Sequence, residues 1–155
     1  MSVINYKASY INQQLNDHMI TTEGGIAVKM INNTGLPTVK GELLQASENI
    51  DNGVEIQVDE FDVIGVMYED GVANGQECWV VVNGKAEVLL TDATASTRGY
   101  WVYADAADGR ANATLPLPPG GTITALTNHF KEVGHCLESK TAGTNVLALI
   151  ALHFN

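Results

Sequence analysis

The sequence is short of positive charge. Its 155 residues include 8 Lys or Arg against 18 Asp or Glu, a formal net charge of -10. Arg98 and Arg110, the two arginines, are far apart in the chain. Duplex binding works by neutralising phosphates with basic side chains, so direct nucleic-acid binding is not expected. The acidic balance favours solubility, or docking onto a basic or mixed protein surface. Long apolar runs are also missing. The longest, VLALIALHF at residues 146–154, is far shorter than the roughly 20 residues that cross a bilayer, and no membrane contact is expected. The opening stretch MSVINYKASYINQQLND has no apolar core or cleavage pattern, so no signal peptide is expected. Cysteine is scarce. Cys78 and Cys136 lack the spacing of a metal or redox motif, and reduced thiols packed as small apolar residues are expected.

What the chain does have is apolar content. Hydrophobic residues make up 45% and charged residues 17%, which is too apolar for a disordered protein and enough for one domain with a core. From Ile26 onward it reads as short apolar phrases separated by turn residues: IAVKMIN, TVKGELLQA, VEIQV, DVIGVMYE, ECWVVV, KAEVLL, GYWVYA, GRANAT, TITAL, HFKEVGHCLES and VLALIALHF. No window holds a convincing amphipathic helix longer than about three turns. About ten close-spaced strands indicate an all-β fold, a barrel or a sandwich. Asn83-Gly84 between two apolar phrases predicts a tight hairpin turn. ATLPLPPGGT, residues 113–122, predicts an exposed loop, because its prolines cannot donate ladder hydrogen bonds. Residues 1–25 are polar, rich in Asn and Gln, and aperiodic. They read as an N-terminal arm, extended or with a short helix around residues 10–19, before a domain over residues 26–155, and a neighbouring subunit is one possible anchor for it.

Four stretches could carry chemistry. HFKEVGHCLES, residues 129–139, sets His135 beside Cys136 with carboxylates near. In a regular strand Phe130, Glu132, Gly134 and Cys136 share one face, and His129, Lys131, Val133, His135 and Leu137 the other. His135 and Cys136 then point apart and cannot form a nucleophilic pair, and His18 and His153 lie distant in sequence. The preferred reading is a barrel strand with a packed cysteine, with no catalytic, cofactor or metal residue assigned. AVKM, residues 27–30, resembles the motif that carries the modified lysine of biotinyl carrier domains. Here, however, Lys29 is expected mid-strand, not at a hairpin tip. Asp59, Glu60, Asp62, Glu69 and Asp70 form an acidic group without a calcium-loop pattern, and read as a solvated rim. Trp79, Tyr100, Trp101 and Tyr103 make an aromatic patch, which reads either as one face for the core and the other for a subunit interface or as core packing throughout.

The order of phrases from NNTGLPTVKGELLQAS through DVIGVMYEDGVANGQECWVVVNGKAEVLL and STRGYWVYADAADGRANAT to HFKEVGHCLES and LHFN resembles the capsid decoration, or cement, proteins of tailed bacteriophages. The resemblance covers residues 26–155. It implies a compact β-tulip-like barrel and a homotrimer on the outer surface of an HK97-type capsid. There the trimer bridges major capsid proteins and stabilises the head, after synthesis in the host cytoplasm. It implies no reaction and no cofactor. The contacts to capsid or neighbouring subunit would fall on Tyr6, Tyr10, Ile11 and Leu15 of the arm and on Trp101 and Tyr103 of the domain. A head fibre or host-adhesion module is the alternative within virions, and a carrier domain modified at Lys29 the alternative outside them.

Overall fold

The computed structural model describes residues 17–58, 62–115 and 130–154. Ten strands are named within them: β1 (His18–Ile20), β2 (Ile26–Asn32), β3 (Leu43–Ala46), β4 (Gly53–Ile56), β5 (Gly65–Met67), β6 (Glu77–Leu89), β7 (Trp101–Ala104), β8 (Ala111–Thr114), β9 (Glu132–Cys136) and β10 (Leu147–Leu152). The expected strand TITAL and most of the expected loop at residues 113–122 lie outside the described residues. So does most of the expected arm. From Asp17 that segment is described, and it supplies β1, which pairs antiparallel with the start of β2.

Two sheets share one strand. In the first, β2, β4, β3, β5 and β6 follow one another as hydrogen-bonded neighbours, and a direct β2–β6 pairing closes the ring. In the second, the order is β6, β10, β9, β7, β8. A parallel bridge between Leu90 and Ala111 brings β8 back beside the end of β6. The Arg110 guanidinium fastens this corner, donating to the Leu90 carbonyl at 2.9 Å, to Asp92 at 3.1 Å and to Asn145 at 2.7 Å. The all-β barrel expected from the spacing of the phrases is therefore present.

Strand alternation feeds two cores. Leu44, Val54, Met67, Cys78 and Val80, with Met30 packed against them, form a small cluster to which every strand of the closed ring contributes. Their neighbours Leu43, Val66 and Val81 turn the other way. They join Ala86, Val88 and Leu90 and the inward residues of β7 to β10 in the larger cluster. The shared walls are buried on both faces, which is why ECWVVV reads as a near-continuous apolar run and why Leu43 and Leu44 are adjacent and both buried.

The hairpin expected at Asn83-Gly84 is not formed. β6 runs unbroken through both residues. Gly84 takes φ +85°, but Asn83 does not take the positive φ that a two-residue turn of this kind requires of both positions. The pair instead marks a β-bulge. Ile26 faces Asn83 and Ala27 faces Val81, so Val82 is the extra residue. The bulge changes the parity of the strand. Val81 reaches the large core before it, and Ala86, Val88 and Leu90 reach the same core after it. The hairpin pattern misled because each half of β6 has its own partners: β2 and β5 before the bulge, and β10 after it.

Gly84 is tight as well as left-handed. A Cβ there would lie 2.7 Å from the Gly24 carbonyl oxygen and 3.0 Å from Gly25 Cα. Gly84→Ala is expected to cost about 2–4 kcal/mol, combining backbone strain with overpacking. Chemical denaturation measures this directly, and an unchanged midpoint would mean that the corner does not depend on glycine.

Candidate functional site

The second bulge of the fold lies in β9. Trp101 faces His135 and Val102 faces Gly134, but Tyr103 faces Glu132, which leaves Val133 as the extra residue. Val133 and Cys136 accordingly both reach the large core. Glu132 and His135, three residues apart, fall on the same outward side, where a regular strand would have opposed them. The face assignments expected for Glu132 and Val133 are corrected on this point. On the other side of β9, Ala151 of β10 pairs with His135 and Leu152 with Gly134. His153 follows, and its backbone N–H donates to the Val133 carbonyl at 3.0 Å. The approach of β9 to β10 is close at Gly134, where a Cβ would collide with the Ala151 carbonyl.

These registers gather three side chains. Glu132 Oε1 lies 2.9 Å from His153 Nε2 and 3.4 Å from His135 Nδ1. The two histidine nitrogens are 3.3 Å apart. Their rings stack with centroids 5.2 Å apart, and the Trp101 ring meets His135 edge-on at 6.2 Å. The Glu132 side chain is 1% exposed, against 38% for His135 and 50% for His153. Burying a carboxylate is costly unless polar or charged groups meet it, and here two imidazoles do. Glu132 and His135 are neighbours in the sequence, whereas His153 lies 18 residues beyond His135. Only the β9–β10 pairing joins them, and no local motif could have revealed it.

Cys136 points into the core, away from this cluster, as expected for a packed thiol. Burial pushes its pKa up. Burial, with the nearby Glu69 carboxylate, pushes Cys78 from 9.0 to about 11. Neither is poised as a thiolate nucleophile.

The other candidates disperse. Lys29 sits mid-strand opposite Trp79, with its Nζ 3.2 Å from Glu77 Oε2 and 5.5 Å from the Trp79 ring centre. It is not at a hairpin tip. Of the acidic group, Asp59 and Glu60 lie outside the described residues. Glu69 accepts from the Trp79 N–H at 3.1 Å and Asp70 from the Lys40 N–H at 2.6 Å, so both hold backbone. Asp62 borders a shallow groove with Gln45, Ser47 and Glu48. Tyr100 packs against the large core. Trp101 and Tyr103 alternate with the buried Val102 and Ala104 and are half-exposed on the outward face, beside the His–His–Glu cluster. Tyr6, Tyr10, Ile11, Leu15 and His129 lie outside the described residues.

The buried thiols give a direct check. At pH 8 both cysteines are expected to react with a thiol reagent much more slowly in the folded protein than in denaturant, and equal rates would contradict their burial. The linkage has a definite sign. Above about pH 9 the unfolded chain releases the Cys78 proton, whereas the folded chain holds it to about 11. Stability is therefore expected to fall as pH rises through that window, and Cys78→Ala is expected to reduce the fall.

A search of curated proteins returned no match. Comparison with protein families matches the phage cement proteins over residues 39–152, a span that takes in β3 to β10. The chain thus belongs to the phage cement protein family, structural proteins that stabilise the phage capsid.

Proposed function

We propose that this protein seats on the outer surface of an HK97-type capsid as a β-tulip-like homotrimer and stabilises the head by bridging neighbouring major capsid proteins. The observation that carries this reading is the family match across both sheets. Three features support its finer parts. The charge of -10 suits a position away from the packaged DNA. The double-cored domain, with 21 buried apolar residues in its described part, offers the packed body that holding neighbours in fixed geometry calls for. The half-exposed Trp101 and Tyr103 are residue types enriched at protein interfaces, and Phe130 and Leu137, exposed at either end of β9, extend the apolar surface nearby.

Closed symmetric assembly is the usual outcome for like subunits, and a three-fold ring repeats one pair of complementary patches at each interface. Residues 1–16 are the proposed reach of the subunit toward the capsid or its neighbour. Their polar, aperiodic composition, with Tyr6, Tyr10, Ile11 and Leu15 as scattered anchors, suits a segment that orders on contact.

Capsids lacking the protein are expected to take it up to a fixed copy number per capsomer and to resist heat better once loaded. Uptake without saturation would contradict the bridging role. Trp101→Ala combined with Tyr103→Ala is expected to leave the fold intact and weaken trimer or capsid contact by about 2 kcal/mol or more, as loss of interface aromatics does. Light scattering and capsid titration read the two contacts separately, and no change in either would remove this face from the interface. Deletion of residues 1–16 is expected to leave the β-type circular dichroism spectrum unchanged and to weaken capsid binding. Equal affinity of the full-length and shortened proteins would overturn the proposed reach.

A further inference from the structure

We propose that Glu132, His135 and His153 form a binding site for one divalent transition-metal ion of the zinc class. The proposal is independent of the capsid reading. It rests first on the donor set. Two imidazole nitrogens and one carboxylate oxygen suit zinc and its neighbours, whereas calcium and magnesium take oxygen-rich shells. Among the described residues these three are the ones whose ligand atoms converge in this way, all lying within 4.8 Å of one another.

The distances are specific. Ligands bound at about 2.0–2.1 Å to a tetrahedral ion are about 3.3 Å from each other. The three edges here are 2.9, 3.3 and 3.4 Å. They describe one face of such a tetrahedron, and an ion at ordinary bond length would sit about 0.9 Å off the plane of the three atoms. Closing the site would need only small side-chain shifts.

The frame around the ligands is built. The bulge at Val133 turns Glu132 and His135 to one side. The His153 backbone is tied to Val133, and the Trp101 ring braces His135. The carboxylate is buried while both imidazoles remain accessible from solvent. An ion could therefore enter, and a fourth ligand could be water or a donor from a neighbouring protein. Bound there, the metal would cross-link β9 to the chain just beyond β10, on the same face as Trp101 and Tyr103.

The test uses tag-free full-length protein, stripped with chelator and dialysed. Titration calorimetry and native mass spectrometry with zinc chloride are expected to show one ion per chain and a raised Tm, with magnesium chloride giving neither. His135→Ala and His153→Ala are each expected to weaken zinc binding tenfold or more, while circular dichroism confirms the fold. A second measurement needs no variant. Zinc is expected to protect His135 and His153 of the wild-type protein from carbethoxylation, with magnesium giving no protection. Three results would overturn the proposal: no zinc binding by folded wild-type protein, undiminished binding in the folded variants, or unchanged reactivity of both histidines at saturating zinc. Any of these would leave the cluster as a hydrogen-bonded pair of imidazoles over a buried carboxylate.

Discussion

The structure depends on one strand serving two sheets. β6 completes the closed ring of β2, β4, β3 and β5 with its first half and opens the second sheet with its last half. A single strand can do this only if it changes the face it presents to the common core. The insertion of Val82 and the left-handed backbone of Gly84 make that change. Without the bulge, Ala86, Val88 and Leu90 would point outward and Lys85 and Glu87 inward. The bulge thus sets the side-chain orientation of the whole second sheet.

The same device recurs on a smaller scale at Val133. There an extra residue lets β9 keep Val133 and Cys136 in the core while bringing Glu132 and His135 together on its other side. The two bulges have different outcomes. The first joins the sheets mechanically. The second sets a buried carboxylate beside a half-exposed imidazole, where His153 from the end of β10 meets them. A cement protein needs both a body that does not yield and a surface that recognises. The strand shared by both sheets is proposed for the first need, and the outward face of β7, β9 and β10, with Trp101 and Tyr103, for the second.

Much of this architecture was legible in the sequence, for physical reasons that also mark where reading fails. IAVKMIN matched β2 residue for residue, because its apolar period and flanking turn residues agree. The burial of Cys136 followed from the absence of any metal or redox spacing, and the mid-strand position of Lys29 from its apolar flanks. Asn83-Gly84 misled because glycine at positive φ serves a bulge as readily as a turn, and local sequence does not reveal which partners lie beside a strand. TVKGELLQA shortened to the four residues of β3 because Gly41 is used elsewhere, its N–H donating to the Met67 carbonyl and its carbonyl accepting from the Leu89 N–H. The His–His–Glu cluster was not legible, since it depends on one bulge and one long-range pairing. The family relationship was carried by the order of the phrases, which survives such local errors.

If β6 welds the two sheets, they must open together. Native-state hydrogen exchange at the amides of Val80 and Val88, one in each half of β6, tests this most directly. The account predicts that both exchange only through global unfolding, with the same free energy and the same denaturant dependence. A Val88 amide that exchanges at markedly lower free energy than Val80, through separate opening of the second sheet, would contradict it.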